Sequence, residues 1–154
     1  MTREFLVASA VVVALAALFV HRPVSGGPTI LADPTRTPGA VNPDVTQANI
    51  RQTICMHGWT RTVRPPVEYT NGLKVEQMRQ YGETGDPSSF QEDHLISLEL
   101  GGAPTDPRNL WPEPYPRAST VDAMENELNA KVCSGELSLA DAQRKESAIK
   151  HSDG

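Results

Sequence analysis

Residues 91–115 carry the pattern that decides the fold, QEDHLISLELGGAPTDPRNLWPEPY. Four apolar side chains within eight residues predict a first strand over 93–100. Gly101 and Gly102 then permit a sharp reversal, because glycine accepts positive φ angles. A short second strand is expected over 109–111, and the prolines at 112 and 114 should end it. The stretch therefore predicts a two-stranded hairpin.

Helices are predicted on both sides of this hairpin. Apolar residues at helical spacing predict helices over 70–81 and 120–133, the second ended by Gly135. Ser138 is placed to cap a fourth helix, and 45–54 favours a short first one. The alternation of large and polar residues over 59–63 predicts a short strand, broken by Arg64-Pro65-Pro66. The fold class expected is α+β, with a hairpin, three to four helices and much irregular backbone.

The N-terminus has the composition of an export signal. The 16 residues from Phe5 to Val20 carry no charge and follow Arg3. A basic start and an apolar centre of this length are typical of a secretory signal, so residues 1–26 are expected to be cleaved. An uncleaved membrane anchor is the alternative, although the run is short for a spanning helix. Residues 27–44, rich in proline, are expected to form a linker to a domain at 45–150. Either way the domain should lie outside the cytoplasm, periplasmic or secreted.

The chain contains two cysteines, Cys55 and Cys133. In an oxidising compartment an isolated pair is most simply a disulfide, and the alternative is two buried free thiols. The bond would close a loop of roughly 80 residues, worth about 4–5 kcal/mol in the chain-entropy model. A zinc site built on cysteines is disfavoured, because the chain has no Cys-x-x-Cys.

The charge balance limits the classes of partner. The net charge is −5, and without residues 1–26 it becomes −6. Tight sequence-independent binding to nucleic acid relies on many Lys and Arg contacts to phosphates, so it is disfavoured here. A nuclease that grips its substrate weakly, through a metal ion, remains compatible with this charge.

The order of motifs in the decisive stretch resembles the core of HNH endonuclease-like (ββα-metal, or His-Me finger) proteins. The elements that carry the resemblance are the doublet Asp93-His94, then Gly101-Gly102, and Asn109-Leu110 about 15 residues after the doublet. A wider likeness, over 42–143, connects the chain to small exported bacterial proteins without a defined role. The resemblance implies a small ββα-metal core built around the hairpin.

The resemblance also implies roles for these residues. His94 would be the general base that activates water, and Asp93 a ligand of a divalent cation. Mg²⁺ is the expected ion because it prefers oxygen ligands, with Mn²⁺ or Zn²⁺ as alternatives. Asn109 would orient the His94 ring or brace the loop between the strands. Neighbours on a strand point to opposite faces, so Asp93 and His94 share a site only where the strand bulges or ends.

The family needs a third group on the helix that follows the second strand. No histidine lies between His94 and His151, so Asn126 is the candidate, with Asp122 one turn earlier on the same helix face. Arg108, beside Asn109, is the expected phosphate-binding residue. Simpler roles stay open for each: Asn109 as a turn residue, Asp122 and Asn126 as a solvated helix face.

Two functions are expected from these motifs. The first is a metal-dependent nuclease that hydrolyses DNA or RNA outside the cytoplasm. The second is a catalytically degenerate, disulfide-stapled module of the same type that binds a partner or supports the cell envelope. The acidic charge and the missing third histidine favour the second, and the Asp-His, Gly-Gly and Asn-Leu spacing favours the first.

Overall fold

The computed structural model of the chain describes residues 31–115 and 117–152, so the expected leader at 1–26 lies outside the described residues. Two strands are present, β1 (Phe90–His94) and β2 (Leu110–Pro114). The α-helices of the described part are α1 (Trp59–Val63), α2 (Val67–Tyr81), α3 (Arg117–Ser134) and α4 (Leu139–Lys150). A hairpin with four helices confirms the mixed α and β class. No helix of the described part has the length and hydropathy needed to cross a membrane.

The hairpin is antiparallel, with Phe90 opposite Pro114 and His94 opposite Leu110. The prediction that β2 ends before Pro112 was wrong. The Leu95 N–H donates to the Asn109 carbonyl and the Tyr115 N–H to the Ser89 carbonyl, so the hydrogen-bonded pairs of the ladder fall at the odd-numbered residues of β2. Both strand prolines therefore stand at positions where the ladder needs no N–H donor, and the strand continues through them.

The predicted first strand was wrong beyond His94. The backbone N–H and C=O of Ile96 both bind the side chain of Asn109 instead of a partner strand. The chain then turns through a short 3₁₀ segment, Leu98–Leu100, to Gly101, whose φ is 74°. The strand is thus confined to five residues by one buried amide.

The strand predicted over 59–63 was also wrong, because this segment is helix α1. Trp59 and Val63 are four residues apart, which puts them on one helix face, and both pack on the main core. In the expected helix over 45–54 only Ile50–Gln52 forms a 3₁₀ turn. There the side chain of Asn49 bonds the backbone of Thr46 and Asp44, which competes with helical hydrogen bonds.

The three longer helices follow the sequence pattern. Helix α2 begins directly after Pro66 and ends at Gly82, whose φ is 76°, so it starts three residues before the predicted position. Helix α3 extends the predicted 120–133 by a few residues at its N-terminus and is followed by Gly135 with φ 86°. Ser138 caps α4 as expected, its Oγ accepting a hydrogen bond from the Asp141 N–H at 3.1 Å.

The main core joins α1, α3, α4 and the turns around the hairpin. Its buried members are Val45, Ile50, Ile54, Trp59, Ile96, Leu100, Leu128, Val132, Leu139 and Ala142. A smaller cluster of Ala32, Leu95 and Trp111 packs against Tyr81 on the other side of the hairpin. Both tryptophans are therefore core residues.

Residues 31–44, part of the expected linker, lie against the domain. The Gly39 N–H donates to the Arg108 carbonyl, and Val41 pairs with Gly102 in an antiparallel bridge. Thr37 is 1 % exposed and its hydroxyl is 2.6 Å from that of Tyr81. The folded unit thus begins before residue 45.

The disulfide between Cys55 and Cys133 is present, which confirms the predicted pairing. It joins the turn before α1 to the last turn of α3, across a separation of 78 residues. We expect the double variant Cys55→Ala/Cys133→Ala to unfold with about 2–4 kcal/mol less free energy, because the unfolded chain regains the freedom of that loop. Urea denaturation of oxidised wild type and variant measures the difference. An unchanged midpoint would show that the bond adds nothing.

Candidate active site

A pocket of about 360 Å³ opens where β1 ends beside α1 and α3. Four residues singled out in the sequence line it together: Asp93 and His94 from β1, and Asp122 and Asn126 from α3. The remaining lining residues are Thr60, Arg64, Gln91, Ser97, Leu98, Glu99 and Glu125. The chain thus brings the predicted strand pair and the predicted helix pair to one cavity.

Asp93 and His94 share this pocket because β1 ends there. His94 is the last residue of the strand, and beyond it the chain is bound by Asn109 instead of by a ladder. Both residues are 7 % exposed, so they lie at the base of the cavity. Asp93 and His94 were expected to share a site only if the strand bulged or ended there, and the strand does end there.

The ring of His94 is held by a backbone carbonyl. Its Nε2 lies 3.0 Å from the oxygen of Pro104, and because a carbonyl only accepts, Nε2 is the donor. Nδ1 makes no hydrogen bond to the rest of the described chain, so in the neutral ring it offers its lone pair. Burial lowers the pKa of His94 and outweighs the Pro104 hydrogen bond and the Asp93 charge, which raise it; the charges of Lys150 and Arg64 add smaller decreases. The neutral, proton-accepting form is therefore favoured.

Asn109 braces the loop between the strands. Its Nδ2 donates to the carbonyls of Ile96 at 3.0 Å and Ala103 at 3.1 Å, and its Oδ1 accepts from the N–H of Ile96. The side chain is 0 % exposed and outside the pocket lining. Gly102 completes the arrangement, because a Cβ there would lie 1.7 Å from the Ile96 oxygen. Asn109 thus serves the second of its two expected roles, and it makes no hydrogen bond to the His94 ring.

Sequence reasoning missed Lys150, the last residue of α4. Its ammonium is 0 % exposed and lies 2.8 Å from Oδ2 of Asp93 and 2.5 Å from Oε1 of Glu125. It also donates to the main-chain oxygen of His94 at 2.5 Å, and Oε1 of Glu146 is 3.4 Å away. One signal was available: Glu146 and Lys150 continue the apolar face of Leu139 and Ala142 at helical spacing.

The carboxyl groups around Lys150 respond to it differently. Burial alone would raise the pKa of Asp93, but the ammonium outweighs burial and holds that pKa below its usual value. Burial raises the pKa of Glu125 to about 9 and that of Glu146 to about 7. Glu113, beside Asp93 and 3.3 Å from the Nε of Arg117, has its pKa raised by burial to about 8. At neutral pH Asp93 is the carboxylate most firmly ionised.

This arrangement does not fit a metal ion at Asp93. Oδ2 is bound by Lys150, and Oδ1 accepts from the Gln91 amide at 3.3 Å. Within residues 31–115 and 117–152, no three His, Cys, Asp or Glu side chains are grouped so that they could hold a metal. Asp122 and Asn126 face the same pocket, and the Asn126 amide donates to the Asp122 carbonyl at 2.7 Å.

Arg108 and Arg64 occupy different surroundings. The guanidinium of Arg108 is 70 % exposed and paired with Asp106, with Nη2 2.6 Å from Oδ2, and it does not line the pocket. Arg64, at the end of α1, does line it and lies close enough to influence the pKa of His94, Glu99 and Asp122. Arg64 is thus the basic side chain that lines the candidate pocket.

Glu92 gives the fold a measurable pH dependence. Both of its carboxyl oxygens are buried without a hydrogen-bond partner in the described part, and burial raises its pKa to about 8. The folded state therefore keeps a proton that the unfolded chain releases above pH 4.5, so the free energy of unfolding falls as pH rises towards 8. Between pH 5 and pH 8 we expect the free energy of unfolding to fall by about 1–3 kcal/mol less in Glu92→Gln than in wild type. Denaturation at both pH values tests this, with the exposed Glu68→Gln as control. An equal change in the free energy of unfolding in wild type and Glu92→Gln would contradict it.

Comparisons of the chain with protein-family models, with curated proteins and with solved structures return no match. The resemblance to HNH endonucleases therefore depends on the sequence motifs alone.

Proposed function

We propose that the chain is a nuclease of the HNH type that hydrolyses phosphodiester bonds of DNA or RNA outside the cytoplasm. One observation carries the proposal: a strand-end Asp93-His94 pair lies at the base of a pocket, with the ring held through Nε2 and with no hydrogen bond from Nδ1 to the described residues. A histidine anchored in this way is prepared to accept a proton.

In the proposed reaction, Nδ1 of His94 removes a proton from a water molecule in the pocket. The water oxygen forms a bond to phosphorus, the bond to the leaving oxygen breaks, and that oxygen takes up a proton. Asn109 keeps the loop that carries the Pro104 carbonyl in place, so it positions His94 indirectly. Arg64 is the side chain available to attract a phosphate.

A divalent cation, Mg²⁺ first and Mn²⁺ or Zn²⁺ as alternatives, belongs to this proposal through the resemblance. When bound, it would stabilise negative charge on the phosphate and the leaving oxygen. The oxygens of Asp93 are already engaged, so no step is assigned to the ion. Nucleic acid should bind weakly, because the domain is acidic.

The test is a nuclease assay with purified protein on supercoiled plasmid and on RNA. Each substrate is incubated with Mg²⁺, Mn²⁺, Zn²⁺ or EDTA, using wild type and His94→Ala in parallel. We expect wild type to cut and the variant not to. Export is tested by N-terminal sequencing of the secreted or membrane-held protein, which separates a cleaved signal at 1–26 from an anchor.

The ion pair between Asp93 and Lys150 favours a second function, a catalytically degenerate module that binds a partner or supports the cell envelope. In that case the buried cluster only stabilises the fold, and the disulfide suits an extracellular structural role. An absence of cleavage under every metal condition, together with a folded protein, would favour this second function over the first.

A further inference from the structure

The buried ammonium of Lys150 binds Asp93, the residue to which the HNH-like resemblance gives a metal-binding role. Its Nζ is 2.8 Å from Oδ2 of Asp93 and 2.5 Å from the main-chain oxygen of His94. These oxygens belong to the two residues on which the motif is centred. A cation is therefore already bound at the motif, and the chain itself supplies it.

The surroundings of Lys150 are those of a cation site. Two further carboxylate oxygens, from Glu125 at 2.5 Å and Glu146 at 3.4 Å, complete the set around Nζ. Three carboxyl groups and one carbonyl offer oxygen atoms of the type that hard divalent cations prefer, although with the ammonium between them the described residues do not form a metal site. An ammonium has three N–H donors, which match the three shortest of these contacts.

We propose that Lys150 is the resident cation of this site: its ammonium holds Asp93 in the place of a divalent metal ion, and removing that ammonium turns the cluster into a site for a hard divalent cation. The inference rests on the proposed function only for the metal-binding role that the resemblance gives to Asp93. Because Lys150 is 0 % exposed, it cannot touch a substrate and acts as a positioning residue.

The local charge balance explains why the emptied cluster should attract a metal ion. Glu113 lies beside Asp93, and its nearest basic partner is Arg117, 3.3 Å from Oε1. Without Lys150, the ion pair between Arg117 and Glu113 would be the only one left to these four carboxyl groups, Asp93, Glu113, Glu125 and Glu146, within the described residues. A buried excess of negative charge is costly, so protons or a divalent cation should replace the lost ammonium.

The experiment is a titration of the metal-free chain with Mn²⁺, followed by electron paramagnetic resonance or calorimetry. Lys150→Ala should bind Mn²⁺ at least about tenfold more tightly than wild type, because Coulomb repulsion between an ammonium and a divalent ion at contact exceeds that factor. Lys145→Ala, on an exposed position of the same helix, controls for the change in net charge. Adding Asp93→Asn to Lys150→Ala should abolish the gain.

Two results would overturn the inference: equal Mn²⁺ affinity in Lys150→Ala and Lys145→Ala, or saturable binding by wild type that Asp93→Asn removes. If Lys150→Ala does not fold, Lys150→Met refolded with Mn²⁺ replaces it, and the wild-type titration decides in any case. The titration needs no hydrolysis, so a failure of the nuclease assay leaves its result valid. Conversely, cleavage that depends on Mn²⁺ and on Asp93 would support the proposed function and contradict the inference that Lys150 takes the place of a metal ion.

Discussion

Replacing His94 with alanine should lower the rate of the proposed phosphodiester cleavage by a factor of about 10²–10⁴, the usual contribution of a general base. At the base of the pocket the imidazole has an Nδ1 with no hydrogen bond to the described residues and a pKa below its usual value. The alanine variant should keep the fold, because the ring makes a single hydrogen bond, to Pro104. Initial rates on plasmid and RNA, with circular dichroism as a check on folding, measure the effect.

His57→Ala is the matched control for this prediction. His57 is exposed and lies in the turn before α1, outside the lining of the candidate site. The control should cut at the wild-type rate. Full activity in His94→Ala, or equal losses in the two variants, would remove His94 from the proposed chemistry.

Replacing Lys150 with methionine should lower the free energy of unfolding by about 3–5 kcal/mol at pH 8 in the absence of divalent ions. The methionine keeps most of the apolar stem but leaves Asp93, Glu125 and Glu146 without their shared cation. Asp93, which the ammonium keeps ionised, and Glu146 can then be held in the fold only by taking up protons. Because the folded variant binds protons that the unfolded chain releases, its deficit should shrink at pH 5.

Urea denaturation of wild type, Lys150→Met and Lys145→Met at both pH values tests this prediction. Lys145 is exposed on the same helix, so its replacement should change stability by less than about 0.5 kcal/mol. A neutral or stabilising Lys150→Met would mean that the buried cluster costs as much to desolvate as it returns in attraction.

The parts of the fold that the sequence predicted are those fixed by local patterns. The periodic spacing of α2, α3 and α4, the stop at Gly135 and the cap at Ser138 depend on residues a few positions apart. The hairpin and the pairing of the two cysteines also followed, because each had few alternatives.

The remaining features depend on contacts between distant residues. The end of β1 is set by the side chain of Asn109, 13 residues beyond the backbone of Ile96 that it binds. The ammonium of Lys150 reaches Asp93 across 57 positions, and the helical spacing in α4 indicates that Lys150 is buried but not that it contacts Asp93. The helix at Trp59–Val63 was missed because five residues of mixed character fit either period, and only packing against the core selects the helix.

The segment closed by the bond between Cys55 and Cys133 contains a loop in which six consecutive residues are exposed. Residues 84–89 lie between α2 and β1, inside the segment that the disulfide closes. A protease that cuts this loop would leave two fragments joined through sulfur, with the hairpin, α3 and α4 on one piece. Such a nicked protein should migrate as an intact chain on a gel until a reductant is added, and its pocket residues on β1 and α3 would stay on a single fragment.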